Sequence, residues 1–169
     1  MRSKILRRAL IALAVSGAIL ASVLLLSKDG RASTDMDYFE GVWTVSVRND
    51  PATSFRWELK KDLDGSWLSG TVERGGAKIT RDFWRQTGAA VDRYAFTTNG
   101  NYVQVRSSGW EGGRLVFRGT ISDGSGESAV RETITRVDAN KFTALWERQE
   151  KDGKWTVFGD EICTRLSDR

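Results

Sequence analysis

The sequence predicts an all-β protein, a single antiparallel up-and-down β-barrel of about ten strands, and three observations carry that prediction. Apolar and polar residues alternate with period two in Phe55-Arg56-Trp57-Glu58-Leu59-Lys60 and again in Leu115-Val116-Phe117-Arg118, the pattern of strands with one buried face. Turn dipeptides recur between such runs: Asp64-Gly65, Gly75-Gly76, Asn99-Gly100, Gly112-Gly113, Asp123-Gly124 and Asp152-Gly153. These residues tolerate the positive φ of tight hairpins. After residue 33 no window holds a helical period, beyond room for one turn over Asp35 to Glu40.

The first element is a leader. Arg2, Lys4, Arg7 and Arg8, with no acid among them, precede an uncharged run over residues 9–26, which is the composition of an export signal. The run counts 18 residues, long for the apolar core of a cleaved signal and near the short limit, about 17 residues, for a membrane-spanning helix. Gly30-Arg31-Ala32 offers a cleavage point before Ser33. Cleavage and retention as a signal-anchor helix both stay open. In either case the positive flank keeps the basic end in the cytoplasm, so the remainder is exported, to the periplasm or another extracytoplasmic space. If the leader is retained, residues 9–26 are the membrane contact. The expected organisation is residues 1–32 as signal peptide or signal anchor and residues 33–169 as the barrel domain.

Within the barrel, strands are expected near residues 41–48, 55–61, 66–73, 77–86, 92–98, 101–108, 113–122, 127–136, 140–150 and 154–166. The only proline, Pro51, falls in the first loop, where its missing N–H does no harm. About 130 residues suffice for one core and not comfortably for two. Joined by short turns, ten strands remove their exposed edges by closing.

Charge excludes one class of partner. The chain carries a net +4, but the leader holds six basic residues against Asp29, so the rest is nearly neutral, with 20 basic and 21 acidic residues. No basic footprint for nucleic acid remains. Basic and acidic residues instead alternate along the strands, as in Arg56-Trp57-Glu58 and Arg131-Glu132, which reads as solvated strand faces. Cys163 is the single cysteine, so there is no disulfide framework and no cysteine cluster for zinc. It is read as a small buried strand residue.

Enzymatic chemistry is not expected. The chain has no histidine, the commonest general base and the activator of serine and cysteine nucleophiles. The carboxylate pairs are Asp62 with Asp64, Glu150 with Asp152, and Asp160 with Glu161; the first two lie in turns. No glycine-rich phosphate loop precedes a helix, and the acids around Asp123 to Glu127 do not follow a calcium-loop spacing. No metal site and no cofactor are expected.

The last hairpin supplies the candidate site. A two-residue Asp152-Gly153 turn would pair Lys151 with Lys154 and set the register back along both strands. Phe142, Ala144, Trp146 and Arg148 then share a face with Trp155, Val157, Gly159, Glu161, Cys163 and Arg165, and its apolar members point that face inward. Arg148, Glu161 and Arg165 would lie inside or at the ends of the barrel, where an unpaired charge is costly. Two outcomes stay open: Glu161 neutralises an arginine as an internal ion pair, or one guanidinium is left to bind an anion while Trp43, Trp57 and Trp146 hold an apolar body.

Gly41-Val42-Trp43 opening the first strand, the run of hairpins, and Arg165 near the end of the last strand resemble lipocalin-like (calycin) barrels. In that family such a tryptophan packs under a basic residue at the closed end. The stretch Ala129-Val130-Arg131-Glu132-Thr133, with Phe142, Trp146, Asp152-Gly153-Lys154-Trp155 and Arg165, is similar to functionally uncharacterised bacterial exported domains of that fold. The strand count is also similar to nitrobindin-like haem barrels, but without a histidine a haem role is not carried over. A ten-strand barrel is wider than the eight strands that side chains just fill. The expected function is therefore binding of a small apolar or amphipathic molecule, the alternative being a non-catalytic structural or protein-interaction module of the cell envelope.

Overall fold

The computed structural model describes residues 35–167; the expected leader, residues 1–32, lies outside them. Among the described residues no helix is long and apolar enough to cross a membrane. The strands are β1 (Gly41–Val47), β2 (Asp50–Asp62), β3 (Trp67–Arg74), β4 (Ala77–Thr87), β5 (Ala90–Thr97), β6 (Tyr102–Ser107), β7 (Trp110–Glu111), β8 (Arg114–Asp123), β9 (Gly126–Asp138), β10 (Lys141–Gln149) and β11 (Trp155–Arg165). All belong to one antiparallel sheet in which neighbours in sequence pair, except that β6 reaches past the two-residue β7 to pair with β8. The first and last strands also pair, from Trp43 opposite Arg165 to Val47 opposite Glu161. Ten strands thus close into a barrel, and closure satisfies the backbone groups an open sheet would leave bare.

Alternation decides the faces. On β2, Trp57 and Leu59 point into the core, while Arg56 and Glu58 meet outside at 2.9 Å. The Gly75-Gly76 turn links Arg74 directly to Ala77 with φ of 57° and 82°, two left-handed residues whose twist matches that of the strands.

The strand bounds depart from expectation in three places. β2 begins at Asp50, so Pro51 stands in the strand and not in a loop. The β1–β2 register jumps between Ser46 opposite Ser54 and Val47 opposite Asp50, and Pro51 lies in the bulged stretch, where no ladder partner needs its N–H. β7 is an additional short strand, folded onto β8 by the Gly112-Gly113 turn.

The third departure is the last hairpin. Glu150 N–H donates to Lys154 O at 2.7 Å and Gly153 N–H to Glu150 O at 2.9 Å, so the loop is Lys151-Asp152-Gly153, with Gly153 at φ 83°. A three-residue loop with glycine in the left-handed position displaces the expected Lys151–Lys154 pairing by one. A bulge at Phe158 restores the register, so that Glu147 faces Val157 but Trp146 faces Gly159. Trp155 and Val157 therefore leave the inward face assigned to them. Trp155 lies outside beneath the Arg131 guanidinium, 4.9 Å from its ring centroid, and Val157 is exposed.

One end of the barrel is filled. A 3-10 turn over Asp35–Tyr38 brings Met36 and Phe39 into the core with Trp43, Trp84, Phe117 and Phe142. Phe39 lies 4.8 Å from Trp84 and 5.5 Å from Phe142, ring centre to ring centre. Tyr38 pins the turn by donating to the carbonyls of Asp138 and Lys141, each at 2.9 Å.

Candidate functional site

Away from that aromatic plug, the barrel interior opens into a cavity of about 280 Å³. Its walls are mainly apolar, with Val45, Phe55, Val72, Val103, Ile121 and Phe158 among them. Phe158 is the residue that the β11 bulge re-aims from the outer face toward the cavity. Gly159, beside it, leaves room for Trp146: a Cβ there would stand 3.2 Å from the Trp146 side chain.

A buried charge cluster forms the floor. On β5, Val91, Arg93 and Ala95 all point inward. The Arg93 guanidinium is forked by Asp82, with Nε at 3.2 Å from Oδ1 and Nη2 at 2.9 Å from Oδ2, and its Nη1 donates to Glu132. Three indoles surround it, with Cζ 4.6 Å from the Trp84 centroid, 5.2 Å from Trp146 and 5.5 Å from Trp57. Gly70 makes this packing feasible, since a Cβ there would come within 3.0 Å of both Asp82 Cβ and Trp57 Nε1. Burial opposes the charged guanidinium, but its two carboxylate partners overcome that and hold Arg93 protonated above its ordinary value. Glu132 shows the opposite balance. Its burial outweighs the attraction of Arg93, with Glu161 and Asp82 adding repulsion, and its carboxyl is raised to about 7.

Glu161, on β11 between Ala144 of β10 and Val47 of β1, also lines the cavity. Among the described residues it forms no hydrogen bond or ion pair, so the expected pairing with Arg148 or Arg165 does not occur. Burial raises its carboxyl, with Arg93 opposing and Asp160 adding. Its neighbour Asp160 faces outward and pairs with Arg48 at 2.9 Å. Cys163 is buried beside it, its thiol pushed well up by burial and by the Glu161 and Glu132 carboxylates.

The structure thus divides the six sequence-derived site residues. Trp57, Trp146 and Glu161 line the cavity. Arg148 does not line it; its Nη2 donates to Asp123 at 2.9 Å, and its Cζ lies 5.4 Å from the Phe158 ring. Trp43 and Arg165 sit together at the plugged end: Arg165 Cζ is 4.2 Å from the Trp43 ring, and its guanidinium donates to the carbonyls of Tyr38 and Glu40. Trp43 Nε1 donates to Phe39 O at 2.8 Å. Arg165 is therefore committed at the plugged end, and Arg148, whose Nε has no hydrogen-bond partner, lies outside the cavity lining.

Asp82, Arg93 and Glu132 are the residues that sequence reasoning missed. Arg131-Glu132 reads as a solvated face, whereas Glu132 is buried. A signal existed: Glu132 stands between Val130 and Ile134, and Arg93 between Val91 and Ala95, at the period-two positions of an apolar face. A charge in that setting points inward with its neighbours. Among the described residues no group of three or more acidic or cysteine side chains is placed to hold a metal. The chain matches no family model, and no curated protein is significantly similar to it.

Proposed function

We propose that this barrel is a lipocalin-like binding protein for a small apolar or amphipathic molecule, and that its leader directs it across a membrane. The observation that carries the binding reading is the cavity: about 280 Å³, mainly apolar-walled, with its charged groups at Arg93, Glu132 and Glu161. Ligand sites combine an apolar body with a small number of placed polar groups, and this volume lies just below their usual range of about 300–1,000 Å³. The lipocalin-like reading is supported by Gly41-Val42-Trp43 at the start of β1 and by the guanidinium of Arg165 over that indole. Export is supported by the basic segment and the apolar run over residues 9–26.

Native mass spectrometry of the purified chain tests the binding reading. A small molecule released by denaturing solvent, in one copy per chain, is the expected result. A chain that flies at its bare mass and takes up no apolar compound leaves the alternative, a structural or protein-interaction module of the envelope.

A further inference from the structure

The geometry points to a cationic amphiphile, an alkyl or aryl amine whose ammonium group sits against Glu161, as the class of ligand this cavity takes. The inference rests on the binding reading above and adds the sign of the ligand's charge. Arg93 is the only cation among the cavity-lining residues, and it is committed on both sides, to Asp82 by two donors and to Glu132 by a third. Its faces are covered by Trp57, Trp84 and Trp146. Against that single positive charge stand three interior carboxyls, and Glu161 has no partner among the described residues. An anion entering the cavity would meet two acidic side chains and a committed Arg93, the unpartnered donor there, Trp57 Nε1, being uncharged. An ammonium would meet the uncommitted carboxylate of Glu161.

Phe55, Trp57, Trp146 and Phe158 line the cavity with Glu161 and already carry the guanidiniums of Arg74, Arg93 and Arg148 over their rings, so the sign of the ligand's charge is set by Glu161. Removing a carboxylate from water without a partner is unfavourable, so an incoming ammonium supplies what Glu161 lacks. The apolar upper walls at Val72, Val103 and Ile121 then take the hydrocarbon part. The expected order of affinity for ligands of equal chain length is amine above alcohol above carboxylate.

The test is a calorimetric titration of the purified chain with octylammonium, octanol and octanoate in turn. We expect octylammonium to bind about tenfold tighter than octanol, and octanoate more weakly than either. Glu161→Gln should bring the amine down to the level of the alcohol and leave octanol unchanged; it keeps the side-chain shape and deletes a buried charge. If octanol or octanoate matches or exceeds the amine on wild type, or if Glu161→Gln keeps the amine's advantage, the inference is overturned while the binding reading stands. If none of the three binds, the binding reading itself falls and takes the inference with it.

Discussion

Glu132 in the floor of the cavity and Arg165 at the plugged end are charged side chains with different roles, and each makes a separable prediction. The folded-state carboxyl of Glu132 sits at about 7 against an ordinary 4.5, so between those values the folded protein holds more protons than the unfolded chain. Stability therefore falls as pH rises from about 4.5 to about 7, and Glu161, raised in the same direction, adds to the slope. Asp123 and Glu147, both lowered, act with the opposite sign and only at more acidic pH. Urea unfolding across this range should show the decline, and Glu132→Gln should flatten most of it; a wild-type stability that climbs from pH 5 to 7 would contradict the assignment. Arg165→Ala removes the contact over Trp43 and strands the carbonyls of Tyr38 and Glu40, a loss of about 2–4 kcal/mol. Its melting temperature should drop whether or not a ligand is present, and an unchanged melt would show that the arginine is not structural. At this scale the site was half legible. Trp57, Trp146 and Glu161 follow from counting along one face, but Asp82 and Arg93 of neighbouring strands are balanced by Glu132, 39 residues beyond Arg93, and no local pattern announces that their charges will cancel.

At the scale of the strand, glycine dipeptides and alternation located ten barrel strands to within a few residues in most cases, because both signals are local. What they could not convey was register. The β10–β11 loop takes three residues instead of two, and only the compensating bulge at Phe158 keeps Glu161 inside; an outward Trp155 and a half-exposed Phe158 lining the cavity have no signature in composition. Closure makes a sharper demand at Gly119, which pairs with Val105 across the β6–β8 ladder. A Cβ at Gly119 would lie 2.0 Å from Gln104 O and 2.8 Å from Val105 Cα, both backbone atoms that cannot move aside. Gly119→Ala should cost roughly 2–4 kcal/mol and loosen this ladder first. Hydrogen exchange resolved by residue should then show β6 and β8 amides losing protection before those of β2 and β3. Gly124→Ala, with nothing within 4 Å of its Cβ, is the matched control; equal protection in the two variants would refute the crowding argument.

For the whole molecule, the leader and the barrel make independent claims. A reporter enzyme that becomes active only after export, fused behind Arg169, should be active in intact cells, and activity of a cytoplasm-only reporter at that position would refute export. On the proposed function, the barrel's cavity is a binding site and not a packing defect. Titration with the neutral apolar fluorophore N-phenylnaphthylamine tests it most directly, comparing wild type with Ala95→Phe, which places a ring in the cavity from β5. Added bulk that enters a void instead of a packed core should leave the fold intact. Wild type should show saturable, one-site, blue-shifted fluorescence, and Ala95→Phe a melting temperature at or above wild type with binding abolished. Wild-type protein that never saturates, or an Ala95→Phe variant that binds as wild type does, would contradict the binding reading.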